Sequence, residues 1–321
     1  MVRIMKKTLC LIPMLLILAS CQDRTLMQEV SCRVKLDPAN TYLAGDPVRF
    51  LIDGNADNIL FYSGEDGSQY QFRDRFSVPL EQVKSVTLAM DYQARYGVSG
   101  GLDVYVSHDF QGLKGDDGEA DRATVAAMYE GGMQGWQKLE YKEGASTVWT
   151  YQNYDITPYK DNLTVAFHWH PVNNGVSAQR AYWLNGTFQV EIEGVGVSSF
   201  TMPDLNPVVV AMNPEVPPYN MNTDASVRFN SSSAQIVCDG VAKGALDYAL
   251  DSWVFTTPST LNHVSNDKGV VVKNIQNELE SYDYTYESPG NYKASFVCIN
   301  ASMLGSSRKV VEVPISIIDK F

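Results

Sequence analysis

The chain is poor in positive charge. It carries 25 Lys and Arg against 37 Asp and Glu, a net charge of −12. Phosphate backbones demand a basic footprint, so this balance argues against nucleic acid as a partner. It argues equally against docking on an anionic leaflet by charge. Long Ala/Leu/Glu/Lys stretches are missing, and no segment has the apolar spacing of a confident amphipathic helix. Val, Thr, Ser and eighteen Tyr are frequent instead, which favours strands. Only one long apolar run occurs. It extends from Leu9 to Leu18, is broken by Pro13, and is too short to span a bilayer as a mature helix.

That run is part of a targeting signal. Arg3, Lys6 and Lys7 form a basic head before it, and Leu18-Ala19-Ser20-Cys21 closes it. Small residues before a cysteine suit a lipoprotein signal peptidase, and the Cys21 thiol is then the site of acylation. Residues 1–21 therefore stand outside the fold. Cleavage before Cys21 leaves 22 basic residues against 37 acidic ones, a net charge of −15. The expected address is the outer membrane or cell surface, with the membrane reached through lipid on Cys21.

Cysteine is scarce as well, at five residues. Cys10 leaves with the signal and Cys21 is lipidated, so Cys32, Cys238 and Cys298 remain and one intrachain bridge at most can form. Cys238 and Cys298 lie in apolar, strand-like runs. Either they pair, leaving Cys32 free, or both are buried thiols.

The remainder divides by composition and turn signals. Residues 22–75 read as a tether and a short β-segment. Gly45-Asp46-Pro47 is a turn before alternating Val48 to Ile52, and Ile59 to Tyr62 is a further strand. Residues 76–200 read as a sandwich of alternating strands. One of them puts Leu163, Val165, Phe167 and Trp169 on one face and Thr164, Ala166, His168 and His170 on the other. Residues 201–219 hold five prolines and read as a stiff linker. Residues 220–321 have the length and strand spacing of an Ig-like sandwich. The expected fold class is all-β.

Two stretches carry a family resemblance. Tyr282-Asp283-Tyr284-Thr285-Tyr286 and Ser288-Pro289-Gly290-Asn291-Tyr292-Lys293-Ala294, with Trp253-Val254-Phe255, resemble PKD-like domains. The Gly-Asp-Gly turn usual in that family is absent. More widely, Ala44-Gly45-Asp46-Pro47-Val48, Phe61-Tyr62-Ser63-Gly64-Glu65, Ser107-His108-Asp109-Phe110-Gln111-Gly112, Tyr154-Asp155-Ile156 and Val165-Ala166-Phe167 resemble uncharacterised Bacteroidetes-type surface lipoproteins. The middle segment is similar to galactose-binding-like jelly rolls, many of which bind carbohydrate. The resemblance implies a jelly-roll domain at 76–200, a PKD-like domain at 220–321, and an accessory role beside outer-membrane glycan-uptake proteins. It assigns no catalytic residue.

Candidate chemistry is sparse. Gly97-Val98-Ser99-Gly100-Gly101 fits a nucleophile pattern, but both flanks read as strands where an elbow needs a strand and a helix, so it is read as a turn. His168 and His170 point the same way on a strand, without a third metal ligand evident in sequence. Asp116, Asp117, Glu119 and Asp121 cluster in a loop whose oxygens suit a structural calcium; the competing reading is a solvated acidic loop. The sequons at Asn162, Asn185, Asn230 and Asn300 are chance matches behind a bacterial signal.

Aromatics are the main binding candidates. Trp136, Trp169 and Trp183 sit in strand-like runs and read as core, whereas Trp149 and Tyr151 precede a polar turn. A sugar-stacking platform of Trp149 and Tyr151, with Tyr96 and Asn153 nearby, is the expected ligand site. The function expected from these readings is non-catalytic glycan binding. A structural or adhesin-like surface protein is the alternative. A divergent hydrolase comes third, since no acid pair or triad is recognisable.

The targeting reading has a direct test. A Cys21→Ser protein should lose its acyl group, by mass spectrometry, and leave the membrane fraction; an acylated, membrane-bound variant contradicts it.

Overall fold

The computed structural model describes residues 28–38, 42–95, 100–142, 144–171, 181–214, 227–230, 232–238 and 250–320, apart from the side chains of 181–183. Cys21 and its lipobox, Tyr96, Ser99 and the side chain of Trp183 lie outside the described residues.

In chain order the strands begin with β1 (Cys32–Leu36), β2 (Pro47–Gly54), β3 (Asn58–Tyr62), β4 (Val83–Arg95) and β5 (Leu102–Ser107). One α-helix follows, α1 (Gly118–Glu130), and then β6 (Trp136–Lys138), β7 (Trp149–Asp155), β8 (Thr164–Trp169), β9 (Ala181–Ile192) and β10 (Gly196–Thr201). The last strands are β11 (Val208–Ala211), β12 (Val227–Asn230), β13 (Gln235–Cys238), β14 (Ser252–Phe255), β15 (Val270–Lys273), β16 (Ser281–Thr285), β17 (Gly290–Ser302) and β18 (Gly305–Ile317). They form four sheets in which every strand pair is antiparallel, so the fold is all-β.

The chain forms two compact units, and the second is inserted into the first. Unit 1 comprises Met1–Phe76 and Ser265–Phe321, and unit 2 comprises Ser77–Val264. The first boundary falls between Phe76 and Ser77, and the second divides the expected C-terminal sandwich over 220–321 between the two units. Its first strands, β12, β13 and β14, pair within unit 2, and only 265–321 belong with the N-terminal segment. The reason is hydrogen bonding across long sequence distance. β2 uses one edge for β1 and the other for β16, and β3 lies between β15 and β17. Adjacency of this kind leaves no local trace in composition. The expected linker at 201–219 is also partly structured. It contains the end of β10, a 3-10 turn at Met202–Leu205 and all of β11, which pairs with β14.

Unit 1 has a three-stranded sheet, β1-β2-β16, and a four-stranded sheet, β15-β3-β17-β18. Alternation decides which side chains meet. Val48, Phe50 and Ile52 of β2 are buried, with exposed Arg49, Leu51 and Asp53 between them. Phe50, Phe61 and Phe296 form the aromatic centre, with ring centroids 5.0–5.6 Å apart. Burying each such ring contributes roughly 1.5–3 kcal/mol. The Tyr286 hydroxyl, buried with them, donates to the Ser63 carbonyl at 2.8 Å.

A disulfide joins Cys32 of β1 to Cys298 of β17, with Cα atoms 6.4 Å apart. It crosses from one sheet to the other inside this core. The expected Cys238–Cys298 pairing is thereby corrected, as is the expectation that Cys32 is free. Cys238 is buried in the core of unit 2, because β13 pairs with β9 and not with β17.

Unit 2 is a second sandwich. Its six-stranded sheet runs β12-β13-β9-β4-β7, with β10 also pairing to β9. The long β9 pairs with β4 along one edge and shares its other edge between β13, along its first half, and β10, along its second. The facing sheet runs β11-β14-β8-β5-β6. Leu88, Met90, Tyr92, Phe188 and Val190 from the first sheet share a core with Val104, Val165, Phe167, Trp169 and Val254 from the second. The expected inward face of β8 is observed residue by residue.

The helix α1 is a departure from the sequence reading. Its buried Val125 packs on a second, smaller core on the outer face of the five-stranded sheet, made by Tyr105, Ala166, Val210, Trp253 and Phe255. Trp253 and Phe255 thus belong to unit 2, not to a PKD-like C-terminal sandwich. This second layer explains why every residue of β8 is buried. A strand covered on both faces reads as continuously apolar.

Non-reducing peptide mapping should recover a Cys32–Cys298 linkage. Replacing both by serine should cost about 2–4 kcal/mol of unfolding free energy. A map that joins Cys238 to either cysteine contradicts the assignment.

Candidate functional site

Three groups of expected site residues fall in unit 2, and the structure treats them differently. The aromatic platform is on β7, an edge strand of the six-stranded sheet. Trp149, Tyr151 and Asn153 alternate with Thr150, Gln152 and Tyr154, and Tyr154 packs on the core. The three platform residues therefore share the outer face. Tyr151 is 70% exposed, Asn153 is exposed and Trp149 is half-buried. In register beside them on β4 stand Gln93, Asp91 and Ala89. Asp91 is in turn opposite Asn185 of β9.

The neighbours make this face polar behind its aromatic rim. Gln93 Nε2 donates to the Thr147 carbonyl at 2.8 Å. Burial raises the Asp91 carboxyl above the ordinary carboxylate value. Asn185 Oδ1 is buried without a hydrogen-bond partner. A buried acceptor without a partner is a costly arrangement.

The acidic segment forms the start of α1. Asp117 is the N-cap of α1, and its Oδ1 accepts from the Ala120 N–H at 3.0 Å. Asp121 is buried and accepts from the N–H groups of Lys114 and Gly115, at 2.7 and 2.9 Å. Asp116 and Glu119 are exposed. Two of the four carboxylates that the sequence offered to calcium, Asp117 and Asp121, thus accept from backbone N–H groups at or just before the helix start. Among the described residues, the one group of three or more His, Cys, Asp or Glu with converging ligand atoms lies elsewhere.

That group is Asp103, His168 and His170, whose ligand atoms lie within 4.8 Å of one another. All three are on the outer face of the five-stranded sheet. His168 is in register with Asp103 of β5 on one side and with Trp253 of β14 on the other. Its ring stacks on the Trp253 indole, with centroids 3.8 Å apart and planes 9° from parallel. Tyr129 of α1 meets it edge-on at 5.2 Å. His168 Nε2 is 3.0 Å from Asp251 Oδ1, while the buried Nδ1 has no partner.

His170, two residues on, is anchored by its N–H donating to the Gly101 carbonyl at 2.7 Å. Gly101 has φ +85°, and a Cβ there would stand 2.8 Å from Pro171 Cα, so the approach of these strands requires glycine. His170 Nε2 is 3.1 Å from Asp103 Oδ2, and Lys138 Nζ is 2.7 Å from Asp103 Oδ1.

The electrostatics follow from these contacts. The hydrogen bond from His170, helped by Lys138, holds the Asp103 carboxyl well below the usual carboxylate range against the opposing effect of burial. Burial, with the Asp103 charge, pushes the Tyr105 hydroxyl up to about 12. Burial also lowers His168, against the opposing pull of Asp251. Burial thus disfavours the charged form of His168, whereas the neighbours of Asp103 favour its charged form.

The sequence reading paired the histidines but found no third group. Asp103 sits 65 positions upstream, at an outward position between inward Leu102 and Val104. Alternation marks it as outward, but strand order is needed to bring it to His168.

Residues 20–127 match the model of a domain of unknown function, DUF5017. No curated protein matches the chain. The DUF5017 match covers about a third of the sequence. It takes in Asp91, Asp103 and most of α1, and ends before β7 and β8.

Asp117→Ala should cost about 1 kcal/mol through loss of the cap. Asp121→Ala, which strips two backbone donors of their acceptor, should cost about 1–3 kcal/mol. Thermal melts check both, and calcium should not move the wild-type Tm. A calcium-dependent rise lost in Asp116→Asn would restore the ion-binding reading.

Proposed function

We propose that this chain is a non-catalytic envelope lipoprotein, anchored through Cys21, that binds glycan on the outer face of the six-stranded sheet of unit 2. The observation that carries the reading is the grouping of Tyr151, Trp149 and Asn153 on one outer sheet face, in register with Asp91. Sugars stack their C–H faces on aromatic rings while carboxylates and amides hold their hydroxyls. Asp91 and Asn185 supply both kinds of polar group at this face. The jelly-roll reading of residues 76–200 suits a site on a sheet face. The acidic balance of the chain and the lipobox support a role at the cell surface beside outer-membrane glycan-uptake proteins.

The purified protein should bind members of a broad glycan array without turning them over. Tyr151→Ala should weaken binding by about 1–3 kcal/mol, by analogy with the loss of an aromatic anchor at other binding surfaces. It should change stability by no more than about 0.5 kcal/mol, as expected of an exposed position. Silence across the array would favour the structural or adhesin-like reading, and release of cleaved sugar would favour a hydrolase.

A further inference from the structure

We propose that Asp103, His168 and His170 form a binding site for a divalent transition-metal ion of the zinc class, with Asp251 as the group that orients His168. Four observations carry this. The three side chains offer two imidazoles and one carboxylate, the donor set that suits zinc and its neighbours better than calcium or magnesium. Their ligand atoms already converge within 4.8 Å, and the His170–Asp103 pair is at 3.1 Å. Ligands at about 2.0–2.2 Å from a tetrahedral zinc stand roughly 3.3–3.6 Å from one another, so small side-chain adjustments suffice.

The third observation is the orphan nitrogen. His168 is 2% exposed, yet its Nδ1 has no hydrogen-bond partner, although a buried polar atom ordinarily has one. Fourth, the surroundings have the form of an outer ligand shell. Asp251 accepts from one nitrogen of His168, which fixes the tautomer and leaves the other nitrogen its lone pair. Lys138 holds Oδ1 of Asp103, while Oδ2 faces His170 and accepts from the Tyr105 hydroxyl at 3.3 Å. Stacking on Trp253 fixes the His168 ring plane.

Three protein ligands leave room in a tetrahedral shell for a fourth group from solvent or ligand. His170 is partly exposed, so the site is reached from outside. It is on the sheet opposite the one that carries Tyr151, so the two proposals stand or fall separately.

The test uses the full-length protein, freed of metal by chelation. Titration with zinc by calorimetry should give one site per chain, and cobalt(II) should give a visible spectrum of a low-coordinate nitrogen and oxygen set, without a thiolate charge-transfer band. His170→Ala and Asp103→Asn should each weaken zinc binding at least tenfold. Asp251→Asn should weaken it about 10–100-fold, the loss typical of an outer-shell partner. His108→Ala should leave it unchanged. The His170 and Asp103 variants are chosen because truncating buried His168 risks the fold; circular dichroism and melting of each variant establish that it is folded. Absence of zinc binding up to about millimolar concentration would overturn the proposal. So would binding that folded His170→Ala and Asp103→Asn leave intact, or a cobalt spectrum dominated by thiolate.

Discussion

The fold of unit 1 depends on pairing between the two ends of its sequence. β2 gives its two edges to β1, nearby in the chain, and to β16, some 230 residues later. β3 similarly takes β17, which is itself zipped to β18 over thirteen residue pairs. Neither half has a core without the other, because Phe50 and Phe61 come from the first half and Phe296 from the second. Closing a long loop costs entropy that grows only slowly with its length. An inserted unit of nearly 190 residues is therefore tolerable provided it folds on its own contacts. Unit 2 meets that condition with its own two-sheet core.

Within unit 2 the decisive element is β8. One face enters the main core through Val165, Phe167 and Trp169, and the other supports a second layer through Ala166 and His168. A polar residue on a strand covered twice must find partners there. That requirement draws Asp251 and Trp253 against His168 from one neighbour. It draws Asp103, with Lys138 behind it, from the other side. The helix α1 completes the layer with Val125 and Tyr129, and the carboxylates at its start fix where it begins.

Much of this was legible in the sequence, for reasons that can be named. Period-two alternation read the inward faces of β2 and β8 correctly, and the all-β class followed from it. The outward face of β7 was legible only in part: Tyr151 is exposed as expected, but the polar turn expected at Gln152-Asn153 is instead the middle of the strand, paired with Met90 and Ala89 of β4. What alternation cannot convey is which strands are neighbours. The disulfide partner, the C-terminal boundary and the third member of the histidine cluster were misread or missed for that single reason. The helix was missed for a different one. Gly118 to Glu130 is rich in alanine and weakly amphipathic, because it packs through a narrow strip around Val125 and Met128. Its strongest cue was Asp117 as a cap, and a run of acidic residues is read more readily as a loop or an ion site.

The Cys32–Cys298 bridge has a mechanical consequence. It joins the first strand of the chain to the penultimate one, so residues 33–297 form a covalently closed loop. A tensile load applied between the two ends travels from Cys32 through the sulfurs to Cys298 and bypasses everything between. Unit 2 lies wholly inside that loop and bears none of the pull. Were the chain held at Cys21, as proposed, drag on its far end would be borne by the bridge and the β17–β18 hairpin. The hydrogen bonds of the inserted sandwich, and the side chains it displays, would keep their unloaded geometry.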